Sequence, residues 1–180
     1  MEFYKLRDKL IIGDYVRTKL QTTYNLNEGG EFKGIQYYDI QLKNNLFWDY
    51  VPKKYHNNFY TSLMLINSEI PPHTDTSDKT VINVYIEPEN CVTEFFKLKN
   101  INPIKKQVKN QTDGYLYDKE DLIINSNFYA EQNDVYVLDV TKIHAVVPQK
   151  IIKERVVIQL GTSVYNFDDV CDMLRKTGNL

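Results

Sequence analysis

Three histidines, His56, His73 and His144, are all that this chain offers for imidazole chemistry, and two of them stand in suggestive company. His73 lies in PPHTDTSDKT, with Asp75 two residues on. In extended backbone, residues i and i+2 share a face, so the imidazole and the carboxylate can approach one ion. His144, inside VYVLDVTKIHAVVP, adds a second imidazole. Two histidines and one carboxylate form a facial set that suits Fe(II) and leaves coordination positions open. By itself, a His-x-acid pair in a chain with 24 acidic residues also fits a loop histidine beside a turn-forming Asp.

A fourth residue sharpens the pattern. Arg155 opens the apolar run VVIQL, and Pro148, Gln149 and Lys150 can turn the chain between it and His144. An antiparallel hairpin would set Arg155 opposite residues near His144, about 5 Å across. A guanidinium there would clamp a carboxylate bound to the ion. The plain alternative is a surface arginine on an edge strand.

The segments that must position these groups read as β. FYTSLMLI (59–66), TVINVYIE (80–87), VTEFFKL (92–98), DLIINS (121–126), DVYVLDV (134–140), IHAVV (143–147) and ERVVIQLGTSVY (154–165) are short apolar runs between turn signals. Pro71 and Pro72 read as an interruption after the first of them. Earlier, GIQYYDIQL (34–42) alternates as a strand, and Asn27, Glu28, Gly29 and Gly30 mark a turn. KLRDKLIIGDYVRTKL (5–20) is expected to carry a helix, with Gly13 as its weak point. Residues 100–120 are polar and irregular, the pattern of a long functional loop. NFDDVCDMLRK (166–176) reads as a short helix with Asn166 or Asp168 as N-cap. Many strands without alternating helices predict a sandwich or barrel.

Composition narrows the class. The chain has 180 residues and a formal charge of -2, ordinary globular values that suit one domain and argue against a generic nucleic-acid binder. No apolar run approaches the ~18 residues of a membrane helix. MEFYKLRDKL lacks the apolar core of a signal peptide, which predicts a cytoplasmic protein. Cys91 and Cys171 are too few for a disulfide framework or a Cys-rich zinc site. The 14 Tyr, the many Asn and the scarcity of Ala match AT-rich codons, as in a virus or an obligate parasite. Scarce Ala also favours β over helix.

The order His-x-Asp, distal His, then Arg resembles the Fe(II)/2-oxoglutarate-dependent dioxygenases. IPPHTDTSDKTVINVYIEPENCVTEFF and NDVYVLDVTKIHAVVPQKIIKERVVIQLG are similar to that family's two ligand-bearing segments, and the resemblance covers roughly residues 58–165. The chain departs from it at Glu89 and Asn90, where the family has two glycines, and at Val157, where it often has serine. The resemblance implies a double-stranded β-helix, or jelly roll. Its division would be an N-terminal mixed, partly helical support (1–57), a jelly-roll core (58–165) and a C-terminal helix (166–180) within one domain. It implies that His73, Asp75 and His144 hold Fe(II). It implies that Arg155 pairs with the far carboxylate of 2-oxoglutarate, with Asn83, Tyr85 and Tyr60 as further candidate contacts. O2 would be the oxidant, and a C–H bond of a small-molecule or peptidyl substrate would be hydroxylated.

Other features have blander readings. His56 reads as a boundary residue and Trp48 as a packing anchor. Lys105, Lys106 and Lys109 form a solvated cluster, or a grip on an anionic substrate. Tyr115, Tyr117, Phe128 and Tyr129 pack, or line a lid. Two rival functions stay open: a cupin-like metal enzyme that does not use 2-oxoglutarate, and a jelly-roll binding or structural module without catalysis.

Overall fold

The computed structural model describes residues 1–12, 15–25, 34–42, 46–99, 105–107, 114–150 and 153–180. The expected turn at Asn27 to Gly30, the weak point at Gly13, and Lys109 lie outside the described residues.

Eight strands carry the architecture: β4 (Tyr60–Ile66), β5 (Ile70–Thr74), β6 (Thr80–Glu87), β7 (Cys91–Leu98), β10 (Leu122–Tyr129), β11 (Val135–Asp139), β12 (His144–Pro148) and β13 (Arg155–Thr162). The chain crosses repeatedly between two antiparallel sheets. One sheet holds the order β11-β6-β13-β4 and the other β10-β7-β12-β5. Winding strand pairs in this way is what makes a jelly roll, and the expectation of a mainly β double-stranded helix holds. Further strands extend both sheets. β1 (Phe3–Lys5) flanks β11, while β3 (Gly34–Leu42) and β2 (Tyr15–Asn25) continue the first sheet beyond β4. β9 (Tyr115–Tyr117) and β8 (Lys105–Gln107) continue the second beyond β5. The expected loop at 100–120 therefore contains two strands.

The core strands of the first sheet, β4, β6, β11 and β13, are covered on both faces, which is why they read as nearly unbroken apolar runs. Leu63, Leu65, Ile82, Val84, Ile158 and Leu160 face helix α1 (Phe167–Lys176) and its residues Val170 and Leu174. Met64, Ile66, Val81, Tyr85 and Val157 face inward, toward Ile70, Phe95 and Phe128 of the second sheet. Of the two candidates, Asn166 is the N-cap of α1, in a reciprocal pair with Asp169.

Three expectations are corrected. Among the described residues, 5–12 and 15–20 are not helical: β1 ends at Lys5, β2 begins at Tyr15, and the stretch after β1 hydrogen-bonds along the sheet, with Leu6 N donating to Val135 O and Leu10 N to Asn133 O. Leu6 and Leu10 imitate helical spacing because both dip into the core. In β2, Val16 and Thr18 favour the extended chain. Pro71 and Pro72 do not interrupt but lie within β5, where the register against β12 slips between His73 and Ile70. A bulge tolerates residues that cannot donate to the ladder. Third, β12 and β13 form no hairpin. β12 is flanked by β5 and β7, and β13 by β4 and β6, so neither has a free edge for the other.

Candidate metal centre and its cavity

His73 and His144 are direct cross-strand partners on β5 and β12, and their rings lie 4.2 Å apart. Each ring is oriented by a backbone carbonyl. His73 Nδ1 lies 2.8 Å from Pro71 O, and His144 Nδ1 lies 2.9 Å from Lys142 O. A carbonyl only accepts, so each Nδ1 carries the proton and each Nε2 is left as a lone-pair donor. Phe95 stacks on His144 at 5.8 Å and closes its other side. Asp75 follows the end of β5, and its backbone N–H donates to Val140 O at 3.0 Å. Its carboxylate is 3.6 Å from His73 Nε2. The three donor atoms lie within 4.8 Å of one another, so small side-chain rotations bring them onto one ion. The donor set fits: two neutral imidazoles and a carboxylate suit Fe(II).

The electrostatics match that use. Burial, aided by the neighbouring His73, lowers the His144 imidazole to about 3, so it stays in the neutral, ligating form. Burial raises Asp75 to about 6, with His73 opposing and Asp78 adding to the rise. A cation at this point would relieve that cost.

Arg155 reaches the same cavity from the opposite sheet. It is only 1% exposed. Its Nη2 donates to Thr93 Oγ1 at 3.1 Å, and its guanidinium sits 4.8 Å over the Tyr85 ring. Its Nε and Nη1 have no hydrogen-bond partner. Among the described residues, no ion pair includes it. A buried cation without a counter-ion is costly, so this arrangement asks for an anion. The cavity between metal ligands and guanidinium has a volume of about 60 Å3.

The remaining candidates separate. Asn83 and Tyr85 line the cavity, and the buried Asn83 Oδ1 has no partner. Tyr60 is not among the lining residues; its hydroxyl donates to Asp78. Thr93 and Gln159 also line the cavity, though nothing in the residue pattern marked them. Their inward direction follows only once the register of β7 and β13 is known. His56 is held by Val51 O at 2.7 Å and packs against Trp48, away from the cavity. Phe128 and Tyr117 are core residues, Tyr115 and Tyr129 are exposed, and both cysteines are buried and free. Among the described residues, no helix is long and apolar enough to cross a membrane.

No family model and no curated protein matches the chain. Among solved structures it is similar to hydroquinone 1,2-dioxygenase PnpCD in complex with Cd2+ and 4-hydroxybenzonitrile, at 12% identity over 58% of each chain, TM-score 0.39. It is similar to L-ribose isomerase of Cellulomonas parahominis with L-psicose, at 15% identity over 73% of this chain and 61% of that one, TM-score 0.36. A third similarity is to an RmlC-like cupin protein from Desulfovibrio desulfuricans, at 13% identity over 78% and 96%, TM-score 0.31. The chain spans less than two thirds of the length of the first two. Likenesses this distant carry no activity across, and the jelly roll rests on the strand order above.

Proposed function

We propose that this chain is an Fe(II)- and 2-oxoglutarate-dependent dioxygenase that hydroxylates a small-molecule or peptidyl substrate. One observation carries the reading. Arg155 is a buried guanidinium with two unpaired N–H positions and no carboxylate partner among the described residues, and it shares a cavity with a two-histidine, one-carboxylate cluster.

His73, Asp75 and His144 would hold the metal. Arg155 would take the far carboxylate of 2-oxoglutarate, with Thr93 holding one arm of the guanidinium and Tyr85 supporting its face. When bound, iron with 2-oxoglutarate and O2 supplies the oxidising power, releasing succinate and CO2. The residues around the site keep it dry: Ile66, Ile70, Val81, Leu138 and Val146 line the cavity between the charged ends. Water excluded there strengthens each charge contact.

The melting temperature tests this anaerobically, with Fe(II) alone and with Fe(II) plus 2-oxoglutarate, for wild type and Arg155→Met. At 100 times its dissociation constant a ligand adds about 2.7 kcal/mol. That corresponds to roughly 5–10 °C for a chain of this size. The expected result is a 2-oxoglutarate shift that needs the metal and vanishes in Arg155→Met. A metal shift without a 2-oxoglutarate effect would turn the reading to a cupin-like metal enzyme. No shift with either would leave a non-catalytic jelly-roll module.

A further inference from the structure

Of the three metal-ligand candidates, Asp75 alone lies off the strands. β5 ends at Thr74 and β6 begins at Thr80, so the carboxylate rides on the intervening loop. The loop has two backbone ties, Asp75 N to Val140 O and Lys79 N to Thr162 O, each 3.0 Å. Thr76, Ser77 and Lys79 are exposed, and Asp75 is only partly buried. Asp78 is the loop side chain that is driven inward, to 8% exposure.

What meets Asp78 there is Tyr60 of β4. The phenol donates to the Asp78 carboxylate and accepts from Gln159 Nε2 at 3.3 Å. Tyr60 is 44% exposed as a residue, and partial burial of its hydroxyl end, with the facing carboxylates of Asp78 and Asp75, pushes the phenol above its ordinary range. The ring reaches this position by lying across Gly161 of β13. A Cβ at residue 161 would stand 2.6 Å from the Tyr60 ring and hydroxyl. Glycine leaves room for the ring in this position, and its own backbone does not call for it.

We propose that Tyr60 is a positioning residue for the metal centre: through Asp78 it holds the loop that presents Asp75, and Gly161 leaves room for it to do so. The proposal rests on the metal-binding part of the reading above and is independent of 2-oxoglutarate. The device joins three separate pieces of chain, β4, β13 and the ligand loop. Gln159 ties it to the cavity wall. Partners that orient a ligand without touching the ion commonly change metal affinity 10- to 100-fold.

The test is an anaerobic Co(II) titration of the metal-free protein, followed by visible absorption, alongside its melting temperature without metal. Tyr60→Phe keeps the ring and the net charge and removes only the hydroxyl; affinity should fall about tenfold. Gly161→Ala displaces the ring and should weaken binding in the same direction. Asp78→Asn keeps an acceptor for Tyr60 and should bind closer to wild type than Asp78→Leu. Tyr165→Phe, which removes a hydrogen bond from Asn58 at 2.8 Å outside the site, should leave affinity unchanged whatever it does to melting. Tyr60→Phe binding Co(II) as tightly as wild type would overturn the proposal. So would affinity losses that merely track melting across all five variants. A wild type that binds no Co(II) would overturn the metal reading itself, a result distinct from either.

Discussion

Asp75 and His144 differ in how a proton competes with a metal. His144 stays neutral until about pH 3, so acidification does little to it in the ordinary range. Asp75 is raised to about 6 in the metal-free protein, so it begins to take up a proton near there, well above an ordinary Asp. Metal binding displaces that proton. Affinity should therefore level off above pH 7 and fall as the pH drops below about 6, approaching tenfold per unit from this one proton. Co(II) titrations at pH 7.5, 6.5, 5.5 and 5.0 check this; a flat profile across that range would remove Asp75 from the ligand set. At this scale the sequence was readable. The His-x-Asp pair is local and visible in the sequence, although Asp75 lies just past the end of β5. Arg155 was legible as a residue type in the right order, but its partner Thr93 was not, because no local spacing links two residues on different sheets.

At the scale of elements, the turn between β6 and β7 stands out. Glu89 and Asn90 both have left-handed backbone, at φ 54° and 51°. Asn adopts this region at lower cost than Glu. Glu89→Asn should therefore raise stability by about 0.5–1 kcal/mol, read as a small upward shift in melting temperature; a decrease would mean that the Glu89 side chain contributes more than its backbone costs. The core strands were legible because each is a short apolar run between turn signals. The 5–20 segment was not. Leu6 and Leu10 repeat at helical spacing, yet they are anchors of an irregular stretch running beside β11. The supposed hairpin of β12 and β13 failed for a related reason: adjacency in sequence does not reveal that the chain crosses between sheets.

On the whole-molecule scale, the first sheet divides the interior. The cavity with the candidate metal ligands lies on its inner side, and α1 packs on its outer side with Leu174 fully buried. Leu174→Ala should cost about 2–5 kcal/mol through the cavity it leaves. It should lower melting by several degrees while leaving Co(II) affinity within twofold of wild type. A large loss of affinity in that variant would show that the two sides are coupled.

The pairing of His73 with His144 also has a consequence in time. The two residues are far apart along the chain but adjacent in the sheet. During synthesis, His73 and Asp75 emerge long before their third partner exists, and two donors on a growing chain make a poor metal site. Non-local strand pairing is the slow part of forming such a sandwich. The three donors thus come together only when β12 docks between β5 and β7, and an unfinished or misfolded chain lacks the complete set.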